Sequence, residues 1–345
     1  MTIDEEVSVV GTLDVLPPRR EFAPQPEAAP MHRPGVPSGR LLALWAVVLV
    51  VVVAVVLIAV EPLFQQREQS LLLSQYRGSI QKAANQSTGL GGVEVATTAP
   101  EFGSPVGILE LGSLNLQQVI VEGATAQIMQ NGPGHVPGTA APGQPGNSVV
   151  VGRSALFGAP FADLSSVAVD DLLAVTTTQG QVVYRVVEAA SVQLSNAKAA
   201  TRPATSGGTA AGSGTHTPIL ESGRISIDAL YGPSSDDRLT LVTSDSWFPF
   251  NTAEARVVIA VMEGKPFAPT PQNGRSTRQT GTTGDTSRWP IALLAALCLA
   301  GAIVGAVLLY RRSSTRVAYL LTVPPLLVFA VLASETLSQL LPGWF

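Results

Sequence analysis

Side chains able to act as thiol nucleophiles, metal ligands or redox partners are few in this chain of 345 residues. There is one cysteine, Cys298, and it lies inside an apolar run. An intrachain disulfide is therefore impossible, and multi-cysteine metal sites are excluded. The three histidines, His32, His135 and His216, are scattered, with no pair at metal-ligand spacing. No metal or cofactor is implied. The net charge is −4 and no basic block exceeds a pair of arginines, so nucleic acid is not an expected partner.

Composition points elsewhere. Hydrophobic residues make up 46% and charged residues 13%, too little charge for a purely water-exposed protein of this length. An uncharged run at 41–60 is long enough to cross a hydrocarbon core of about 30 Å, and no small-residue cleavage site follows it. Two further spans are expected at 289–310 and 317–336. The first carries Gly301 and Gly305 at a spacing that permits close helix approach. The second contains Pro324 and Pro325, which predict a kink or a broken helix. Arg33 and Arg40 precede the first run, and Arg311, Arg312 and Arg316 fill the connection between the other two. Placing both basic flanks inside puts the N-terminal tail in the cytoplasm and residues 61–288 outside, in a multi-pass plasma-membrane protein. Trp344 and Phe345 are then expected at the outer membrane interface.

The elements between the spans have distinct characters. Residues 1–40 are Pro-rich and acidic, the composition of a disordered cytoplasmic tail. Residues 61–105 form a stalk helix and linker, with Leu71, Leu72, Tyr76 and Ile80 on one helix face. From 106 to 264, short β-branched runs alternate with Gly/Pro/Asn turns, the pattern of a mostly-β barrel or sandwich. Within it, 196–225 is dense in Ala, Thr, Gly and Ser and reads as a flexible surface insertion. Residues 265–288 read as a polar linker.

Two stretches are more specific: GPGHVPGTAAPGQPGNSVVVGRSALFGAPFADL at 132–164 and RLTLVTSDSWFPFNTAEARVVIAV at 238–261. With VIVEG at 119–123 and LLAVTTTQGQVVYRVV at 172–187, they resemble the sortase family, and actinobacterial membrane sortases of Gram-positive cell envelopes most of all. The resemblance implies a closed eight-stranded β-barrel flanked by transmembrane helices. It also implies cysteine transpeptidation, in which a thiolate attacks a sorting-signal peptide bond, a histidine acts as general acid and an arginine stabilises the oxyanion. The acyl group then passes to an amine on the wall or on a pilin.

Mapped onto this chain, the resemblance puts Arg153 at the histidine position after Gly152, with FGAPF at 157–161 holding the register. Ser244 stands at the cysteine position after LTLVT, and Arg256 at the arginine position. A thiol of pKa about 8.5 is partly ionised near neutrality, whereas a serine hydroxyl needs an adjacent base. An arginine stays protonated and is no base. These substitutions imply a degenerate site. Arg153 and Arg256 are expected to face one pocket and to favour an anion there, with Ser244 and His135 as further binding candidates. His135 sits in a Gly-Pro-Gly-His turn that the family shares without using it as the acid, so a structural role is expected. The function implied is a pseudo-enzyme that binds a peptide, a membrane protein or a cell-envelope component as part of a membrane assembly. The alternative is a residual peptidase or transpeptidase that depends on Ser244.

Overall fold

The computed structural model describes residues 61–87, 96–195, 218–220, 223–274, 276, 279–312 and 315–345, together with Val47 and Val51 as two helical positions. The tail at 1–40, almost all of the expected span at 41–60, most of the 196–225 insertion, His32 and His216 lie outside the described residues.

Among the described residues, nine strands form one sheet: β1 (Pro105–Leu111), β2 (Leu116–Glu122), β3 (Gly134–His135), β4 (Asn147–Val151), β5 (Leu172–Thr177), β6 (Gly180–Ser195), β7 (Arg224–Ser226), β8 (Arg238–Ser244) and β9 (Glu254–Glu263). Their order is β5-β1-β2-β3-β4-β8-β9-β6-β7, and a β5–β6 pairing closes the first eight into a barrel. The expected eight-stranded barrel is therefore present. β7 is appended by parallel pairing to the far end of the long β6.

Alternation along the strands builds two cores. Leu109 and Leu111, Leu173 and Val175, Tyr184 and Val186, Leu239 and Leu241, and Val258 and Ala260 converge on the barrel interior. The intervening positions Val149 and Val151, Val242, and Val257 and Ile259 point outward into a second cluster with Met129, Leu230, Tyr231 and Trp344. β8 is buried on both faces along its whole length.

The second core needs a cover, and part of the expected insertion supplies it. Leu220 and Ile225 are buried in that cluster, so the surface insertion ends before them. The 265–288 segment is likewise fastened rather than free. Phe267 N donates to Gly143 O (2.8 Å), Gln144 and Thr270 exchange hydrogen bonds, and Gln279 Oε1 accepts from Ala124 N (2.8 Å).

The expected stalk is helix α1 (Glu61–Ser87), and it lies against the barrel. Tyr76 packs with Ile108 and Val119, flanked by Leu72, Leu73 and Ile80. Leu71, expected on this face, is half-exposed. The face is continued by Gln65 and Gln69, both buried. Gln69 accepts from Val119 N (2.8 Å) and donates to Val119 O and Asn131 O, and Tyr76 donates to Val106 O (2.7 Å). A polar side chain that satisfies backbone groups at a helix–barrel contact escapes a search for apolar periodicity.

Helix α2 (Ile227–Leu230) is a single turn. Helices α3 (Trp289–Arg312) and α4 (Thr315–Leu340) follow, and both are long and apolar enough to cross a membrane. They pack on each other through Leu299, Ile303, Leu326, Phe329 and Ala330. Helix α4 runs through Pro324 and Pro325 without a break. Two adjacent prolines remove neighbouring backbone bonds but keep a helical φ, and packing against α3 holds the turn. The helix also extends to Leu340, past the expected end at 336.

Gln69→Ala removes a donor–acceptor pair from buried backbone. A loss of about 1–3 kcal/mol is expected, read as a lowered Tm of the full chain in detergent; an unchanged Tm would mean that α1 is not docked.

Candidate functional site

Arg153 follows β4 and is completely buried. Gly152 before it leaves no room for a side chain, since a Cβ there would fall 2.3 Å from the Phe161 ring. The guanidinium spends its donors on main-chain oxygens. Nε donates to Met129 O (3.2 Å), Nη2 to Ala126 O (2.8 Å) and Nη1 to Phe345 O (3.0 Å). Its carbon lies 4.7 Å from the centre of the Phe157 ring, within cation–π range. Leu156, Phe157 and Ala159 take positive φ values of 62°, 44° and 41° around Gly158. This costly winding brings the Phe157 ring to the cation.

The third acceptor comes from 192 residues away. After α4 the chain turns back onto the barrel. Trp344 N donates to Gly281 O (3.0 Å), and Trp344 O accepts from Ser154 N (2.9 Å). Gly343 passes so close that a Cβ would meet Gly281 O, Ala126 Cα and Met129 Sδ at 3.1–3.2 Å. The Trp344 indole is fully buried in the outer core. The expected interfacial placement of Trp344 is thus corrected. The α3–α4 hairpin delivers it to an apolar slot over β4 and β8, and Gln130–Ser338 (3.1 Å) and Asp285–Gln339 (2.8 Å) hydrogen bonds hold the hairpin end there.

Ser244, at the end of β8, is 5% exposed. Its Oγ lies 3.4 Å from Ser246 N. The β8–β9 register pairs Ser244 with Ala255 and Thr243 with Arg256. Paired residues project to one side of a ladder, and successive residues to opposite sides. Ser244 therefore shares the outer face with Val242 and Ala255, whereas Arg256 shares the inner side with Val258. Arg256 Nη2 donates to Ser165 O (3.0 Å). Thr243 Oγ1 donates to Gly152 O (2.9 Å), tying β8 to the Arg153 segment. Arg153 and Arg256 do not share a pocket, contrary to the expectation. The β8–β9 register turns Arg256 to the inner side, while Arg153 donates to Ala126, Met129 and Phe345 at the outer core.

His135 lies in β3, paired with Val150 of β4. It is buried, with Nδ1 2.8 Å from Glu122 Oε2 and Nε2 2.8 Å from Ala140 O. The other Glu122 oxygen accepts from Asn273 Nδ2 (3.0 Å), which also donates to Pro100 O. These contacts fasten strand, turn and returning segment together. A separate groove of about 590 Å³, lined by Tyr76, Glu122, Gln144, Thr178 and Thr270 among others, includes neither Arg153, Ser244 nor Arg256. Among the described residues no group of three or more His, Cys, Asp or Glu side chains is placed to hold a metal.

Residues 109–263 match the family model of the sortase domain, and this domain belongs to the sortase family. Among solved structures, the chain is similar to a sortase D5 transpeptidase of Clostridium perfringens, with 16% identity over 57% of this chain and 99% of that one and a TM-score of 0.40. It is also similar to sortase E of Streptomyces avermitilis (20% identity, 48% and 93% coverage, TM-score 0.34) and to a lid mutant of sortase A of Corynebacterium diphtheriae (17%, 56% and 95%, 0.35). No curated protein sequence matches the chain.

Replacing Arg153 by Met leaves three main-chain oxygens without that donor. The full chain is expected to lose about 3–5 kcal/mol of stability. Arg153→Lys should recover less than half, because an ammonium cannot span carbonyls that a planar guanidinium reaches. Thermal unfolding of both variants at wild-type Tm would refute this arrangement.

Proposed function

We propose that this protein is a membrane-anchored, extracytoplasmic sortase-like domain without peptidase activity, which binds a protein partner or cell-envelope component as a subunit of a membrane assembly. The observation that carries the reading is Arg153. Where transpeptidation calls for a titrating imidazole, the chain has a guanidinium that stays protonated and whose donors serve its own backbone. Among the described residues, the contact of Ser244 Oγ on the same outer face is with Ser246 N and not with a base, and an unactivated hydroxyl is a poor nucleophile. Arg256, turned to the other side of the ladder, is not aimed at a tetrahedral intermediate forming on Ser244. No cofactor enters this account.

Support for the membrane half of the proposal comes from α3 and α4, whose apolar side chains are exposed along their length, Leu294, Leu297, Leu308, Leu320 and Leu321 among them. With both helices crossing the bilayer, the chain after α4 returns to the side of the barrel, which agrees with the docking of Trp344. The basic connection at 311–316 then faces the cytoplasm and the barrel faces outward. Of the four candidate positions, Arg153 and His135 are occupied within the fold. Ser244 is buried at the end of β8, which leaves the partly exposed Arg256, whose Nε has no hydrogen-bond partner, for contact with a partner.

The full chain, reconstituted in nanodiscs, is expected to leave sorting-type peptides intact, with wild type and Ser244→Ala indistinguishable. Affinity purification from solubilised membranes should yield a stoichiometric partner that crosslinks to a photoreactive residue placed at 256. Peptide cleavage abolished by Ser244→Ala would establish the serine-dependent enzyme instead. Inert protein with no stoichiometric partner would remove the assembly reading.

A further inference from the structure

The β8–β9 loop carries the most exposed aromatic side chains next to the site. Trp247 is 90% exposed, Phe250 66% and Phe248 47%. The rings form a contiguous patch, with Trp247 and Phe248 centroids 5.8 Å apart and Phe248 and Phe250 5.6 Å apart. The loop is not slack. Ser246 Oγ accepts from Phe248 N (3.2 Å), Phe248 O accepts from Asn251 N (3.0 Å), and Asn251 Oδ1 accepts from Ala253 N (3.2 Å). Residues 246–253 carry no charge. A preformed turn that holds three aromatic rings in water, without a charge among them, is built to be covered.

Its place in the fold indicates the cover. β4 and β8 are parallel, with Val151 beside Val242, so both strands end at the same end of the barrel. At that end Ser154 holds Trp344, four residues beyond α4, and Trp344 holds Gly281, eight residues before α3. Asp285 and Gln339 join the two helix ends. The aromatic loop therefore leaves the barrel where the apolar hairpin does. Trp289, the first residue of α3, is itself 59% exposed there. Tryptophan and phenylalanine partition favourably into the headgroup–acyl boundary, whereas a charged loop would not.

We propose that Trp247, Phe248 and Phe250 insert into the outer membrane interface beside α3 and α4. There they form a third attachment point that fixes how the barrel's β4–β8 end faces the lipid. The occupant is a lipid surface and not a protein. The proposal rests on the reading that α3 and α4 cross the bilayer, and it assigns a role to a loop that the proposed function leaves idle.

The test uses the full chain in liposomes containing acyl-brominated lipids. A fluorescent label on the native Cys298 reports α3. The same label on Asn251→Cys, in a Cys298→Ser background, reports the loop. Both labels are expected to be quenched by bromines placed near the headgroups or deeper along the chains, each according to its depth. Adding Trp247→Ser, Phe248→Ser and Phe250→Ser should abolish quenching at 251 only. Quenching at 298 with none at 251 overturns the loop proposal, leaves the hairpin in the membrane and points to a protein cover. No quenching at either position overturns the spanning reading along with it.

Discussion

The guanidinium of Arg153 is the contact on which this end of the molecule depends. A buried cation is tolerated only where its donors are satisfied, and isolation in an apolar interior would be prohibitive. Here the solution is geometric. Five N–H groups in one plane can reach oxygens on several sides at once, and those of Arg153 reach Ala126, Met129 and Phe345 over an aromatic ring. Two segments remote in sequence, the turn at 126–129 and Phe345, are thereby fixed to the end of β4. An imidazole, with two ring nitrogens on opposite edges, could not satisfy this set. The residue that stands where the family resemblance expects a histidine is also the residue that organises this end of the barrel.

Two consequences follow for chemistry. The tail that Arg153 holds is packed against the outer face of β4 and β8, the face onto which Ser244 projects. The barrel around it is intact, with closed hydrogen bonding from β5 to β6 and a fully packed interior. The apolar alternation that closes a barrel makes no demand on the identity of residues 153 and 244, while acid–base and nucleophilic chemistry depend on them entirely.

Much of the barrel could be read from short β-branched apolar runs between turns in β2, β4, β5, β6, β8 and β9, because each of these strands is long enough to carry one. The two-residue β3 and three-residue β7 are too short to carry a pattern and depend on partners that only the fold supplies. The identities at 153, 244 and 256 were readable in the sequence, but their orientation was not. It depends on the β8–β9 register, which pairs 244 with 255, and loop length alone does not reveal that pairing. Burial of Trp344 was hidden for another reason. An aromatic residue just beyond an apolar span matches a membrane-interface anchor equally well, and only the slot over Met129 and Val151 distinguishes the two environments. The glutamines of α1 escaped for a similar reason, since a residue that seals backbone groups carries no hydrophobic signature.

The central claim is that Arg153 clamps the segment after α4 onto the barrel. Amide hydrogen exchange of residues 341–345 and of Ser154, followed by mass spectrometry on the full chain in nanodiscs, tests it directly. Strong protection in the wild type, lost at both segments together in Arg153→Met while strands β1 and β5 stay protected, is the predicted result. Exchange of residues 341–345 at the rate of an unstructured peptide in the wild type would contradict it.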